Sequence, residues 1–360
     1  MSPLSTDAGT RSTLDDHRTS RISPLLSPAL LRDELPADAR VADVVTRGRA
    51  DVVDILDGRD DRLLVVVGPC SIHDPEAALD YAHRLAAQAE RLSGDLHVVM
   101  RAYFEKPRST VGWKGLINDP GLDESFDVNR GLRTARRLLL DITALGLPVG
   151  CEFLDPITPQ FIADTVTWGA IGARTAASQV HRQLVSALSM PVGIKNGTDG
   201  DVQVAVDGIG AAGAPHVFMG INADGLAALV RTTGNPDAHV ILRGGSAGPN
   251  YSVSDVAEAR ARLAKAGLPE RVVVDASHGN SGKDHIRQAE VVREIATRIA
   301  AGDTGVTGLM MESFLVEGAQ KLGGDLTYGQ SVTDACLSWD TTADLLDELA
   351  TAVRSRRDGA

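Results

Sequence analysis

Short apolar runs rich in β-branched residues alternate along this chain with stretches whose apolar positions recur every three or four residues. The runs cover 63–68, 97–101, 148–153, 170–174, 191–195, 216–220, 239–243, 271–275 and 306–312. Between them, 77–92 places Leu79, Ala82, Leu85 and Ala86 at helical spacing, and 256–266 repeats the pattern. Runs that are apolar on both faces and joined by helices predict a parallel sheet covered on both sides, because each strand must bury two surfaces.

Nine runs fit an open doubly wound sheet or, with one set aside, an eight-stranded barrel. Eight of the nine finish on or beside a chemically active group: Cys70, Arg101, Glu152, Arg174, Lys195, Arg243, His278 and Glu312. Only 216–220 delivers nothing ionisable. A closed barrel aims all its strand ends at one mouth, whereas an open sheet aims only those at its switch point. The pattern therefore predicts an α/β fold, a (β/α)8 TIM barrel over 61–356 with 216–220 as an inserted β-ribbon. No glycine-rich dinucleotide fingerprint follows the first run, which also disfavours the open sheet.

Residues 1–20 are polar and predict a disordered tail. An N-terminal extension over 21–60 reads as two helices, 27–35 and 37–56, the second striped by Val41, Val44, Val45, Val52, Ile55 and Leu56. A barrel needs no such preface, so this apolar helix is expected either to cover the barrel's bottom or to meet a second subunit, an oligomeric or regulatory role. The stretch 341–354 reads as the last barrel helix.

With 360 residues, 43% hydrophobic and 23% charged, the composition is that of an ordinary globular protein. A net charge of −12 argues against nucleic acid or an anionic membrane as partner, so any anion must be held by a local cationic cluster. Three cysteines and no apolar signal segment predict a reducing, cytoplasmic setting, and no run is long enough to span a membrane.

Cys70, His278, Glu312 and nearby Asp334 combine a soft, an intermediate and two hard donors, a set suited to a borderline divalent metal such as Mn, Fe, Co or Zn. Each alone has a structural explanation; together, two carboxylates beside a thiolate call for a cation. Arg101, Lys106, Arg108, Ser109 and Thr110 leave one strand end in a loop bounded by Gly and Pro, and guanidinium forks suit phosphate oxygens. Arg174, Lys195 and Arg243 extend this cationic ring beyond what Glu152 can neutralise, which points to a phosphorylated substrate rather than an internal ion-pair belt. Gly279-Asn-Ser-Gly-Lys283 lacks P-loop spacing, 243–250 reads as a flexible loop, and Ser277-His278 has no placed acid. Cys336, two residues after Asp334, falls near Cys70 if Asp334 is a ligand, which would expose the site to oxidation.

Gly68-Pro-Cys-Ser-Ile-His-Asp74, 101–115 with its Lys106-Pro-Arg-Ser-Thr110 element, Gly172-Ala-Arg-Thr175, Lys195-Asn-Gly-Thr-Asp199, Leu242-Arg-Gly-Gly245, Ser277-His-Gly-Asn280 and Ser331-Val-Thr-Asp-Ala-Cys336 closely resemble type I DAHP synthases of the microbial Phe/Tyr/Trp-regulated branch. The resemblance runs from about residue 24 to the C-terminus. It implies condensation of phosphoenolpyruvate with D-erythrose 4-phosphate, the first step of the shikimate pathway to chorismate. By matching positions, Cys70, His278, Glu312 and Asp334 would ligate the metal. Arg174, Lys195 and Arg243 would hold the phosphoenolpyruvate phosphate, with Arg101 and Lys195 on its carboxylate side. Arg108, Ser109 and Thr110 would take the sugar phosphate, Lys106 would donate a proton, and Glu152 would activate water. An aromatic amino acid would bind near Pro159, Gln160, Ser189, Phe218 and Gly220; the missing side chain at Gly220 suggests tyrosine. A homodimer or homotetramer is expected.

Overall fold

The computed structural model describes residues 16–108 and 111–359. Expectations for residues 1–15, Ser109 and Thr110 lie outside the described residues. Five strands come first: β1 (Leu63–Gly68), β2 (Leu96–Arg101), β3 (Val149–Glu152), β4 (Trp168–Ile171) and β5 (Val192–Lys195). A hairpin, β6 (Val217–Ile221) and β7 (Ala227–Arg231), precedes β8 (Ala238–Leu242), β9 (Val272–Asp275) and β10 (Gly308–Glu312). The eight strands other than the hairpin close a parallel barrel in the order β1-β10-β9-β8-β5-β4-β3-β2. All of their residues are buried, as the two-sided apolar runs require.

Helices cover the outside, and their starts are written into the sequence. Asp74 accepts from the amides of Glu76 and Ala77 ahead of the helix Pro75–Arg91, whose first proline lacks the N–H that the cap would have to satisfy. Ser252 and Asp255 form a reciprocal capping box for Val253–Lys265.

The inserted ribbon is antiparallel, with Val217 opposite Arg231 and Ile221 opposite Ala227. Its turn is set by Asn222, whose side-chain oxygen accepts from the amides of Asp224 and Leu226, and by Gly225 at φ +79°. Strand alternation gives it an exposed face, with Met219 91% and Leu229 61% accessible, and a half-buried face carrying Phe218 and Gly220.

The extension contributes α1 (Pro28–Glu34) and α2 (Ala39–Leu56). Val52, Ile55 and Leu56 of α2 join Leu64, Val66, Val99, Trp168, Ile241, Val273 and Met310 in one cluster inside the barrel. Of the two uses expected for this helix, the described residues show it covering the bottom, and each such side chain contributes about 1.5–3 kcal/mol by burial. Buried Arg136 ties the extension down: it donates to the Leu35 carbonyl at 2.8 Å, to the Phe161 carbonyl at 2.9 Å, and to both Asp164 oxygens at 2.7 and 2.8 Å.

A second small sheet, β11 (Val316–Ala319) with β12 (Gln330–Ser331), follows β10. Bridges from Ser313 to Leu337 and from Gly318 to Cys336 fold this segment back on itself. That return places Asp334 beside Glu312, although no strand of the barrel ends there. The helix Trp339–Asp358 closes the chain.

Candidate active site

Cys70 Sγ and carboxylate oxygens of Glu312 and Asp334 all lie within 4.8 Å of one another at the barrel mouth. His278 stands at the edge of this trio, with Nε2 3.8 Å from Glu312 Oε1. Its backbone is left-handed, φ +54°, an arrangement a non-glycine residue keeps only when its neighbours hold it. They do: Asp275 Oδ2 is 2.9 Å and Ser277 Oγ 2.7 Å from His278 Nδ1, which leaves Nε2 turned toward Glu312. An acid is therefore placed beside Ser277-His278 after all. Ser277 and Asp275 share the same ring nitrogen, however, so the three do not form a hydrolase triad.

Charge balance in this floor is tight. Burial raises the Cys70 thiol above its ordinary pKa and Glu312 adds to the rise, with Lys106 and Arg101 pulling back. Burial also works against the Glu312 carboxylate, but His278, Arg101 and Lys106 hold its pKa below the ordinary value. The Arg101 guanidinium is 2.8 Å from Glu312 Oε1, donates to the carbonyls of Pro69 and Cys70 at 3.1 Å, and lies over the Tyr103 ring. Asp334 is lowered likewise: Lys106 and an ion pair to Lys283 at 3.0 Å outweigh its burial. Lys106 Nζ sits 3.1 Å from both the carbonyl and the sulfur of Cys70, and despite burial Cys70 and Glu312 keep it charged. A soft sulfur among carboxylates held in their charged form, with an imidazole at the edge, fits a borderline divalent ion.

Above this floor, Lys106, Arg108, Glu152, Arg174, Lys195, Arg243, His278, Lys283 and Asp334 line one cavity. Lys195 is paired with Asp275 at 2.9 Å. Among the described residues, Arg108, Arg174 and Arg243 have no ion-pair partner within 4.0 Å. The internal belt thus accounts for some cations and leaves three guanidiniums turned to the cavity, an arrangement that favours a polyanionic ligand.

The loop carrying Lys106 and Arg108 is pinched at its neck. The Lys106 amide donates to the Lys114 carbonyl at 2.8 Å, and Gly115 lies so close that a Cβ there would stand 2.0 Å from the Phe104 oxygen. Only glycine, at φ +116°, passes. The 243–250 loop, expected to be flexible, is tied by a Gly245–Gly248 bridge, by the Gly244 amide donating to Asn250 Oδ1 at 2.7 Å, and by the Ser246 amide donating to the Thr198 carbonyl.

Pro159, Gln160, Ser189, Phe218 and Gly220 line a second, separate cavity of about 300 Å3, together with Arg32, Arg49 and Asp164. Cys336 is buried beside the floor, its thiol pushed well up by burial and then by Cys70 and Glu312. Asp275, Lys283 and Glu105 were not anticipated from sequence. Asp275 ends β9 and so satisfies the strand-end criterion, three residues before His278. Lys283 ends the Gly279–Lys283 stretch, whose spacing is not that of a P-loop and which carries no other signal.

Comparison with known proteins decides the family. The DAHP synthetase I family model matches residues 35–347. The chain belongs to the DAHP synthetase I family. It is 59% identical over 345 residues to a phospho-2-dehydro-3-deoxyheptonate aldolase of Corynebacterium glutamicum, covering 93% of each chain. It is 56% identical to the Phe-sensitive enzyme of that name from Escherichia coli, covering 95% of this chain and 98% of the relative. Against the tyrosine-inhibited enzyme of Schizosaccharomyces pombe the identity is 52%, covering 96% and 94%. The solved structure of the Francisella tularensis enzyme superposes with a TM-score of 0.92 at 49% identity, covering 94% of this chain and 99% of that one. The DAHP synthetase I fold is thus the closed α/β barrel expected from the strand ends. Among the described residues no helix is long and apolar enough to cross a membrane.

Proposed function

We infer that this chain condenses phosphoenolpyruvate with D-erythrose 4-phosphate to give DAHP and phosphate, opening the route to chorismate and the aromatic amino acids. The observation that carries this reading is the pairing, in one cavity, of three guanidiniums without an ion-pair partner among the described residues with a floor of sulfur and carboxylate donors.

Cys70, His278, Glu312 and Asp334 are the residues that would hold the divalent ion, Mn, Fe, Co or Zn. When bound, it supplies a Lewis acid for the aldehyde oxygen. Arg174 and Arg243 grip the phosphoenolpyruvate phosphate with Lys195, while Lys195 and Arg101 neutralise its carboxylate. Arg108, Ser109 and Thr110 receive the sugar phosphate. The enol carbon then attacks the aldehyde, and Lys106 Nζ gives its proton to the new alkoxide. Glu152 orients the water that adds to the resulting cationic carbon and takes its proton. Loss of phosphate from that adduct leaves the ketone of the product.

The second cavity is the seat proposed for an aromatic amino acid effector, tyrosine, on the strength of its five lining residues and the room left by Gly220. The exposed apolar face of the ribbon and the extension over 21–60 are proposed as contacts between copies of the chain in a homodimer or homotetramer. A cytoplasmic setting is proposed on the three free, buried thiols.

Phosphate release tests the reading. It is expected with phosphoenolpyruvate plus erythrose 4-phosphate in the presence of Mn2+. Release with arabinose 5-phosphate instead would assign the related eight-carbon synthase reaction, and release with neither would defeat both.

A further inference from the structure

One carboxylate oxygen beneath the cavity serves two masters. Asp275 is fully buried, and its Oδ2 lies 2.9 Å from Lys195 Nζ and 2.9 Å from His278 Nδ1. Its other oxygen accepts from the Ser277 amide at 3.0 Å and from the Ser277 hydroxyl at 2.6 Å. These groups therefore converge on one side chain that touches neither cavity nor solvent, the Ser277 amide and hydroxyl by hydrogen bonds and Lys195 and His278 by ion-pair contact. Two of them have different tasks under the proposed function: Lys195 faces the anionic substrate, and His278 faces the ion.

We propose that Asp275 is a shared positioning residue which, through one oxygen, orients both Lys195 and His278 and so couples the affinity for a divalent ion to the affinity for the anionic substrate. The proposal rests on the metal and phosphoenolpyruvate reading above. Its physical basis is charge. Oδ1 accepts from Ser277, whereas the buried Oδ2 has no aligned hydrogen bond and holds Lys195 and His278 by ion-pair contact alone, so its charge is what places both. An asparagine lacks that charge; whichever way its amide turns, an NH2 group meets either Ser277 or the Lys195/His278 pair. An imidazole whose far nitrogen is engaged, here by Ser277 Oγ at 2.7 Å with the Asp275 carboxylate behind it, is held in one tautomer and is the better metal ligand for it. An ammonium held against the same oxygen keeps a fixed height under the substrate.

The test uses Asp275→Asn in the full chain, with three readouts. Isothermal titration calorimetry gives the Mn2+ Kd without substrate and the phosphoenolpyruvate Kd without metal, and 15N–1H spectra give the tautomer of His278. The expected result is a tenfold to hundredfold weaker Mn2+ Kd, a weaker phosphoenolpyruvate Kd, and loss of the single Nδ1-protonated tautomer. A folded variant in which only one ligand, or neither, is affected overturns the proposal. If parent protein fails to bind Mn2+ or phosphoenolpyruvate, the functional reading fails first, a result distinguishable from wild-type affinities in the variant. Should Asp275→Asn not fold, Lys195→Met replaces it. Removing Lys195 frees Oδ2 for His278 alone, so the Mn2+ Kd must change by a different factor from that in Arg174→Met, which removes a like charge from the same cavity without touching Asp275. Equal changes overturn the proposal.

Discussion

The barrel-mouth cavity and the cavity beside the ribbon are built to different rules. At the mouth, the critical side chains leave strand ends that are hydrogen-bonded on both sides, and every carboxylate named there is set against a cation: Glu312 against Arg101, Asp275 against Lys195, Asp334 against Lys283. The second cavity is walled by the short helix Pro159–Ile162, the segment 187–189, the ribbon and the extension, none of which belongs to the closed barrel. Its wall is fastened by arginines reaching carbonyls, Arg32 to Gln160 and Arg49 to Ala163 and Val166. A site that must hold reacting atoms still is made from the most cooperative part of the fold. The effector site proposed above is made from attachments, whose local opening takes less free energy.

The sharpest break in that contrast is Cys70→Ala. Metal content by atomic absorption and turnover are expected to fall together, turnover by on the order of a thousandfold; an active, metal-free variant would end the proposed chemistry. Next, Arg101→Met leaves Glu312 ionised and buried with its guanidinium partner gone, a loss of about 3–5 kcal/mol in denaturant unfolding. An unchanged midpoint would mean the pair is dispensable. Arg136→Met strikes the other region: it frees Asp164 and two carbonyls for about 2 kcal/mol of destabilisation. Inhibition by an amino acid should weaken in this variant while turnover without inhibitor stays within about twofold.

Glu105 joins the two regions and gives a pH signature. It sits beside Lys106 and accepts from Asp155 N at 3.1 Å and Thr158 Oγ1 at 3.2 Å, next to the second cavity. Burial raises its pKa from the ordinary 4.5 to about 8, with the backbone amides of Asp155 and Leu154 pulling only partly back. The folded state therefore keeps a proton that the unfolded chain has already lost, and this contribution to stability fades as pH rises from about 4.5 through about 8. Glu105→Gln should flatten that part of the stability profile. Parallel profiles for the two proteins would show that the carboxyl ionises normally. The smallest effect is expected from Gly220→Ser, whose Cβ would stand 2.9 Å from Val230 Cγ2 and narrow the second cavity. Tyrosine inhibition should drop severalfold relative to phenylalanine, measured as the ratio of half-inhibitory concentrations; an unmoved ratio would remove Gly220 from selectivity.

The mouth was legible because a closed barrel converts strand ends into neighbours, so Cys70, Glu152, Lys195 and Glu312 could be grouped from linear pattern alone. Asp334 was grouped with them by donor type although no barrel strand ends there; the small sheet that delivers it lies after β10, in 316–331, where nothing alternates over more than a few residues. The ribbon was expected from 216–220 alone, the one run that ends on nothing ionisable, and β6 does stand outside the barrel. Its partner 227–231, across the Asn222-Ala-Asp-Gly225 turn, went unread although that turn carries a hairpin signal. Asp275 was missed because no periodicity reports what a buried carboxylate is bonded to.

The three side chains of α2 that fill the base of the barrel give the extension a second duty. A chain shortened to begin at β1 would keep every strand and every reactive group, yet its floor would stand open and water would reach Leu64, Val66 and Val273. Trimming the leader down to the enzyme's apparent minimal core would therefore produce an insoluble protein rather than a simpler one.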